Sequence, residues 1–222
     1  RLSNPTVSVL QERLATLEGG IGAICSSSGH SAQILALFPL MQPGDNLIAS
    51  TRLYGGTVQQ FANTIKKFGW EANFVDIDDS HKILKLANSK TKAIFCESIS
   101  NPGGHVTDLP KISEVAKRLS IPLIVDNTAA TPYLCNPFKH GADLIVHSTT
   151  KYISGNGTSL GGAVIDSGNF NWSRNGKFPS LSDPEPGYHG LKFHDTFGPY
   201  AFIIYSIAVS LRDLGMTMAP QN

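Results

Sequence analysis

Lys151 stands just past the apolar run Leu144-Ile145-Val146, within His147-Ser148-Thr149-Thr150-Lys151-Tyr152. A lysine at the end of a buried strand can be partly desolvated, which lowers its pKa and frees the amine to attack a carbonyl. The plainer alternative is a lysine that marks the solvated end of a strand. Ser148 and Thr150 bear on the choice, because they offer hydroxyl donors within one turn of the amine, as a bound phosphate ester would need. An imine-forming lysine beside a phosphate grip is the chemistry of pyridoxal phosphate.

Other residues can complete such a site. The run Ser26-Ser27-Ser28-Gly29-His30-Ser31 reads as a small-residue turn opening a helix. There the amides of Gly29 and His30 can hold a phosphate, helped by the helix dipole. An ordinary serine cap is the alternative, and His30 is given a backbone role only. Asp126 ends Ile121-Pro122-Leu123-Ile124-Val125-Asp126. Its carboxylate can pair with a protonated pyridine nitrogen and keep the ring an electron sink, or it can cap the next segment. Tyr54, beside Gly55-Gly56, can stack on a cofactor ring or serve as a core lid. Glu97 and Asn101 follow another apolar run.

The elements that must position these residues alternate. Val7, Leu10, Leu14 and Leu17 mark an amphipathic helix that starts near Pro5 and stops at Gly19-Gly20. Strands are expected at 21–25, 46–49, 74–77, 93–96, 123–125 and 144–146, and helices at 32–41, 56–68, 80–87 and 109–119. This alternation predicts an α/β fold, a mostly parallel sheet with helices on both faces and ligands at the carboxyl ends of the strands. The candidate residues follow four separate strands, so four strand ends are expected to converge on one edge. From Asp166 to Phe197 the chain is rich in Gly, Pro, Ser and Asp and reads as a long loop of the kind that is often functional.

Composition narrows the function. With 222 residues, 41% of them hydrophobic, and a net charge of +1, the chain can bury one large core. It has no basic stripe for nucleic acid. Ala201–Val209 is too short to cross a bilayer. Cys25, Cys96 and Cys135 are too scattered for a disulfide framework or a zinc site and read as buried thiols in a reducing, cytoplasmic setting. Metalloprotease, serine-hydrolase and P-loop motifs are missing from the sequence.

The segment HSTTKYISGNGTSLGGAV resembles the cofactor-lysine segment of the pyridoxal-phosphate enzymes of cysteine and methionine metabolism, and nearly the whole chain fits that family in order. The resemblance implies the PLP-dependent transferase fold type I. It implies that Gly29 and His30 give amides, and Ser148 and Thr150 hydroxyls, to the cofactor phosphate. Tyr54 would stack on the pyridine ring, Asp126 would face its nitrogen and Asn101 would hydrogen-bond its phenolic oxygen. Lys151 would bond to the aldehyde carbon and then shuttle protons. The opening RLSNPT resembles a motif whose arginine, here Arg1, reaches into a neighbouring subunit's site, so a homodimer or homotetramer is implied.

Within the family the fit is to the O-acetylhomoserine sulfhydrylase branch, carried by the loop from Asp166 to Gly190. The implied reaction joins O-acetyl-L-homoserine and sulfide into L-homocysteine and acetate, with Tyr54 assisting the leaving group. A cystathionine gamma-synthase or gamma-lyase, or a catalytically silent fragment, are the alternatives. Ala129-Ala130, Asn156 and His30 depart from the residues common in the family and bear on substrate preference. Residues 1–222 are expected to form the large cofactor-binding domain, without the family's N-terminal arm and C-terminal small domain.

Overall fold

A computed structural model describes residues 3–221. In chain order its main elements are α1 (Pro5–Glu18), β1 (Gly22–Ser26), α2 (Gly29–Leu37), β2 (Asn46–Ser50), α3 (Gly55–Gln59), β3 (Glu71–Val75), α4 (Ser80–Leu86), β4 (Thr91–Glu97), α5 (Leu109–Leu119), β5 (Leu123–Asp126), β6 (Leu144–His147) and β7 (Gly162–Asp166). The first helix has the signals expected of it. Asn4 Oδ1 accepts the Thr6 and Val7 amides at 3.0 and 3.4 Å, Pro5 occupies the first turn, and Gly19 ends the helix at φ 77°.

The chain divides into two compact units, one built from residues up to Leu40 and from Val146 onward, the other spanning Met41–Ile145. In the second unit the strand order is β6-β5-β4-β2-β3, with Leu144 and Ile145 as its share of β6. The pairs β2–β3, β2–β4 and β4–β5 are all parallel. Side chains alternate along these strands. Ile48, Ile94, Cys96, Leu123 and Val125 share a core with Ile83 of α4 and with Leu109, Ile112 and Val115 of α5. Phe95, on the other face of β4, meets Phe61 edge to face at 4.9 Å. Phe61 lies where α3 continues as a π turn (Gln60–Thr64) and a 3-10 turn (Ile65–Phe68). Helices on both faces bury all seven residues of β4, as a parallel strand requires.

In the first unit the order is β1-β7-β6, and β1 runs antiparallel to β7 with Gly22 opposite Asp166 and Ser26 opposite Gly162. Strand β7 is absent from the sequence expectations. Its five residues are all buried, as in β2 and β4, but its apolar run is only Ala163-Val164-Ile165 and opens on Gly161-Gly162, residues that favour turns. The expected long loop is also corrected. Asp166 closes β7, and the following segment contains short turns of helix at Arg174–Gly176, Pro179–Ser182, Pro186–Tyr188 and Phe193–Phe197. Aromatic packing orders it: Trp172 stacks on Phe202 at 5.3 Å and meets Phe178 edge-on at 5.6 Å, and all three are fully buried.

Several boundaries move, α2 ending at Leu37 before the expected Met41 and β3 at Val75 before the expected Ile77, and two starts move for local reasons. Helix α2 starts at Gly29, before the expected Ala32, because Ser28 caps it. Strand β3 starts at Glu71, before the expected Phe74, because its ladder pairs Glu71 with Asn46. Cys25 and Cys96 are buried as expected, whereas Cys135 is partly exposed. Among the described residues no helix is long and apolar enough to cross a membrane.

Candidate active site

In the first unit the turn between β1 and α2 is held by its own serines. Ser28 Oγ accepts the Ser31 amide at 3.1 Å and Ser31 Oγ accepts the Ser28 amide at 2.8 Å, a reciprocal capping box. The Ser31 hydroxyl also reaches Ser26 Oγ at 2.9 Å, so these hydroxyls build the turn. Gly29 and His30 take the first two helical positions, where the helical ladder supplies no acceptor for an N–H. The His30 side chain is exposed, in keeping with a backbone role. A Cβ on Gly29 would lie 2.7 Å from Ser148 Cβ and 3.1 Å from both Ser148 Cα and Oγ. Only glycine lets the start of α2 come this close to the residue that follows β6.

From Ser148 the chain makes one tight turn. The Lys151 amide donates to the Ser148 carbonyl at 3.2 Å, that of Ser154 to Thr149 at 2.9 Å and that of Gly155 to Lys151 at 2.9 Å. Thr150 Oγ1 donates to the Gly161 carbonyl at 3.2 Å and accepts the Gly161 amide at 3.1 Å, so the hydroxyl expected to be offered outward is engaged with its own chain. Lys151 is exposed, not partly desolvated as expected, because full burial ends at Thr149, two residues before it. Behind the turn His147 Nε2 lies 2.6 Å from Glu18 Oε1, with both side chains fully buried. This pair ties the end of α1 to the end of β6 and so fixes where the lysine-bearing turn begins.

In the second unit Glu97 and Asp126 are the last residues of parallel neighbours and stand opposite one another in register. Asp126 is buried, and its Oδ1 accepts the Thr128 amide at 3.0 Å, so a capping bond is part of its role. Tyr54 sits at the start of α3 with 49% of its surface exposed, which rules out the core-lid alternative. The Asn101 side chain is exposed as well. Both residues are held through their backbones by Glu97: Tyr54 N donates to Oε1 at 2.6 Å and Asn101 N donates to Oε2 at 2.8 Å. Burial pushes the Glu97 carboxyl up to about 7; the Tyr54 amide opposes this, the nearby Asp126 charge adds to it, and the Asn101 amide opposes it again.

A second brace acts from the surface. Arg52, two residues before Tyr54, donates to Asp78 Oδ2 at 2.6 Å and Asp76 Oδ2 at 3.1 Å, and its Nη1 lies 3.0 Å from His105 Nε2. The His105 amide donates to Ser100 Oγ at 3.0 Å, beside Asn101.

Gly29 is thus brought against Ser148 in one unit, and Tyr54 and Asn101 meet on Glu97 beside Asp126 in the other. Arg1 lies outside the described residues. In the sequence Glu97 closes an apolar run as Asp126 does, so the signal that singles out Asp126 applies to it equally, yet no role is expected for it there. His147, Glu18 and Arg52 carry no expected role either. Glu18 and His147 are 129 residues apart, and no local pattern links them.

The model of the Cys/Met metabolism PLP-dependent enzyme family matches residues 1–222. The chain belongs to this family. Members similar to it include an O-acetyl-L-homoserine sulfhydrylase of Leptospira meyeri, 46% identical over all of this chain and 52% of that protein. A homocysteine/cysteine synthase of Kluyveromyces lactis is 50% identical over 99% of this chain and 50% of that protein. A Campylobacter jejuni structure described as an O-acetylhomoserine (thiol)-lyase, which carries an N'-pyridoxyl-lysine-5'-monophosphate, superposes with a TM-score of 0.96 at 47% identity, covering 100% of this chain and 55% of that one. The chain therefore has the expected fold, the α/β fold type I of PLP-dependent enzymes, and it spans about half the length of the curated relatives it matches.

Proposed function

We propose that this chain is the cofactor-holding part of an O-acetylhomoserine sulfhydrylase that uses pyridoxal 5'-phosphate to convert O-acetyl-L-homoserine and sulfide into L-homocysteine and acetate in methionine biosynthesis. The observation that carries the reading is the close approach of Gly29 to Ser148, a cradle that a Cβ would fill. It sets two first-turn amides of a helix beside the turn that ends in an exposed lysine, and this suits a phosphate ester next to an imine-forming amine. Identities of 46% and 50% to proteins named as sulfhydrylase and homocysteine/cysteine synthase support the substrate class.

Gly29, His30 and Ser148 would hold the phosphate, and Thr150 would join them by turning its hydroxyl from the Gly161 carbonyl. Asp126 would keep a proton on the pyridine nitrogen, Tyr54 would cover the ring, and Asn101 would bond its phenolic oxygen. When bound, the cofactor supplies an electron sink for charge developing on the substrate. The Lys151 amine takes the proton from the substrate's α carbon and returns one. Tyr54 protonates the departing acetate as the Cγ–O bond breaks, and sulfide forms the Cγ–S bond in its place. Arg1 would complete the phosphate site of a neighbouring copy in a homodimer or homotetramer, and three cysteines without a disulfide suit a cytoplasmic enzyme.

Borohydride reduction followed by peptide mapping tests the cofactor assignment. The expected result is one pyridoxyl adduct, on Lys151, lost in Lys151→Ala. The substrate assignment is tested by acetate release from O-acetyl-L-homoserine, which sulfide should support better than cysteine. An adduct elsewhere, or release driven by cysteine alone, overturns the corresponding half of the reading.

A further inference from the structure

We propose that Glu97 is a positioning residue whose carboxylate clasps the backbones of Tyr54 and Asn101, so that the ring of one and the amide of the other are presented together to the cofactor. The proposal rests on the functional reading above only for what those two residues face. The clasp itself is read from geometry. Tyr54 and Asn101 lie on different loops, 43 residues before and 4 residues after Glu97, and each donates its amide to a different carboxylate oxygen, at 2.6 and 2.8 Å. Both bonds are short, and charge-assisted when Glu97 is ionised, and Glu97 is only 6% exposed, so water competes poorly for either oxygen.

The side-chain type matters. A carboxylate is an acceptor at both ends, whereas glutamine offers one acceptor and one donor and would point an N–H at one of the two amides. Aspartate keeps the charge but is one methylene short of spanning both. The clasp is anchored behind: Thr107 Oγ1 donates to the Glu97 carbonyl at 2.7 Å, and the Ser98 amide donates to the Asp126 carbonyl at 3.0 Å. The end of β4 is therefore fixed, and the two exposed side chains are referred to it. A simple helix cap would need only the Tyr54 bond; the second bond to another loop distinguishes a clasp from a cap.

The test compares wild type, Glu97→Gln and Glu97→Asp in the full-length enzyme. Backbone hydrogen exchange on the cofactor-free protein should speed up about tenfold or more in peptides covering Tyr54 and Asn101, with the β4 amides unchanged. Each variant should release one of the two loops, aspartate because it cannot span both amides and glutamine because it keeps only one acceptor. In parallel, pyridoxal phosphate affinity should fall about tenfold or more, and the visible circular dichroism of the bound cofactor should change while Lys151 is still the residue modified. Unchanged exchange at both loops overturns the clasp. Faster exchange with unaltered affinity and dichroism overturns the positioning role. Should glutamine prevent folding, the aspartate variant decides on the same readouts. Wild-type protein that takes up no pyridoxal phosphate at Lys151 would sink the functional reading, and the exchange data would still decide the clasp.

Discussion

Gly29→Ala is the sharpest perturbation of the proposed phosphate cradle, because its effect follows from distances. The added methyl would meet Ser148 Cβ at 2.7 Å and its Cα and Oγ at 3.1 Å. Carbon atoms rest at about 3.5–4.0 Å, so the start of α2 and the turn after β6 must separate by about 1 Å. Neither Cα nor Cβ is a flexible side-chain tip, so backbone has to move. Overpacking of this kind costs about 1–3 kcal/mol, and the better helix propensity of alanine returns at most about 1 kcal/mol. A net loss of about 1–2 kcal/mol should lower Tm by about 2–8 °C for a unit of this size.

Cofactor binding should suffer more than stability. Amide–phosphate bonds near 2.9 Å, opened by about 1 Å, fall outside hydrogen-bond range. Losing even one such bond to a charged group removes about 1.5–3 kcal/mol, so pyridoxal phosphate affinity should drop at least tenfold in an absorbance titration of the cofactor-free enzyme. Gly187→Ala is the control, since the nearest atom to its Cβ would be Glu185 Oε1 at an accommodating 3.4 Å. An affinity within twofold of wild type for Gly29→Ala, with Tm unchanged, would refute the argument that α2 and the lysine turn cradle the phosphate.

His147→Leu leaves the Glu18 carboxylate buried and without its imidazole, and urea unfolding should show a loss of about 3–5 kcal/mol, with Glu18→Gln less costly; a loss below about 1 kcal/mol would show that the pair is dispensable. Burial raises the Glu97 carboxyl from an ordinary 4.5 to about 7 and that of Asp143 from 3.8 to about 6, so in the folded state both hold their protons more tightly than the unfolded chain does. Their contribution to stability is complete below the ordinary values and is lost as pH rises through about 6 and about 7. Asp143→Asn, which can still accept the Leu123 amide now bound at 2.9 Å, should flatten the fall in stability between pH 4 and 6, and an unchanged slope there would contradict the assignment. Trp172→Ala should cost about 3–5 kcal/mol and open the segment after β7 to limited proteolysis, whereas resistance equal to wild type would mean that the aromatic cluster does not order it.

What could be read from sequence follows from where each element's information lies. The parallel strands β2, β4 and β5 are short apolar runs bounded by polar residues, and α5 carries its signals locally, so Leu109–Leu119 appears as expected. β7 is as apolar as they are, but its partner is the distant β1, paired from Gly22 with Asp166 to Ser26 with Gly162, and its run opens on Gly161-Gly162, residues that favour turns. The same division holds in the site. Asp126, Tyr54 and Lys151 are visible because they end or follow an apolar run. The Glu97 clasp depends on which two backbones arrive at one carboxylate, and the exposure of Lys151 depends on where burial stops. Both are properties of packing that spacing does not encode.

The two sets of candidate residues are preorganised by different physics. In the first unit the order comes from contact: a glycine against Ser148, a hydroxyl network among serines, and backbone bonds that close the lysine turn. Apart from the buried His147–Glu18 pair behind the lysine turn, these contacts contain no titrating group. In the second unit the order depends on a buried charge, because only an ionised Glu97 accepts from two amides at once, and its carboxyl sits at about 7 with Asp126 alongside. Acidification through that range should therefore loosen Tyr54 and Asn101, read as amide exchange there that speeds up relative to its intrinsic pH dependence. Substitutions at Gly29 should instead loosen the start of α2 against Ser148 at every pH.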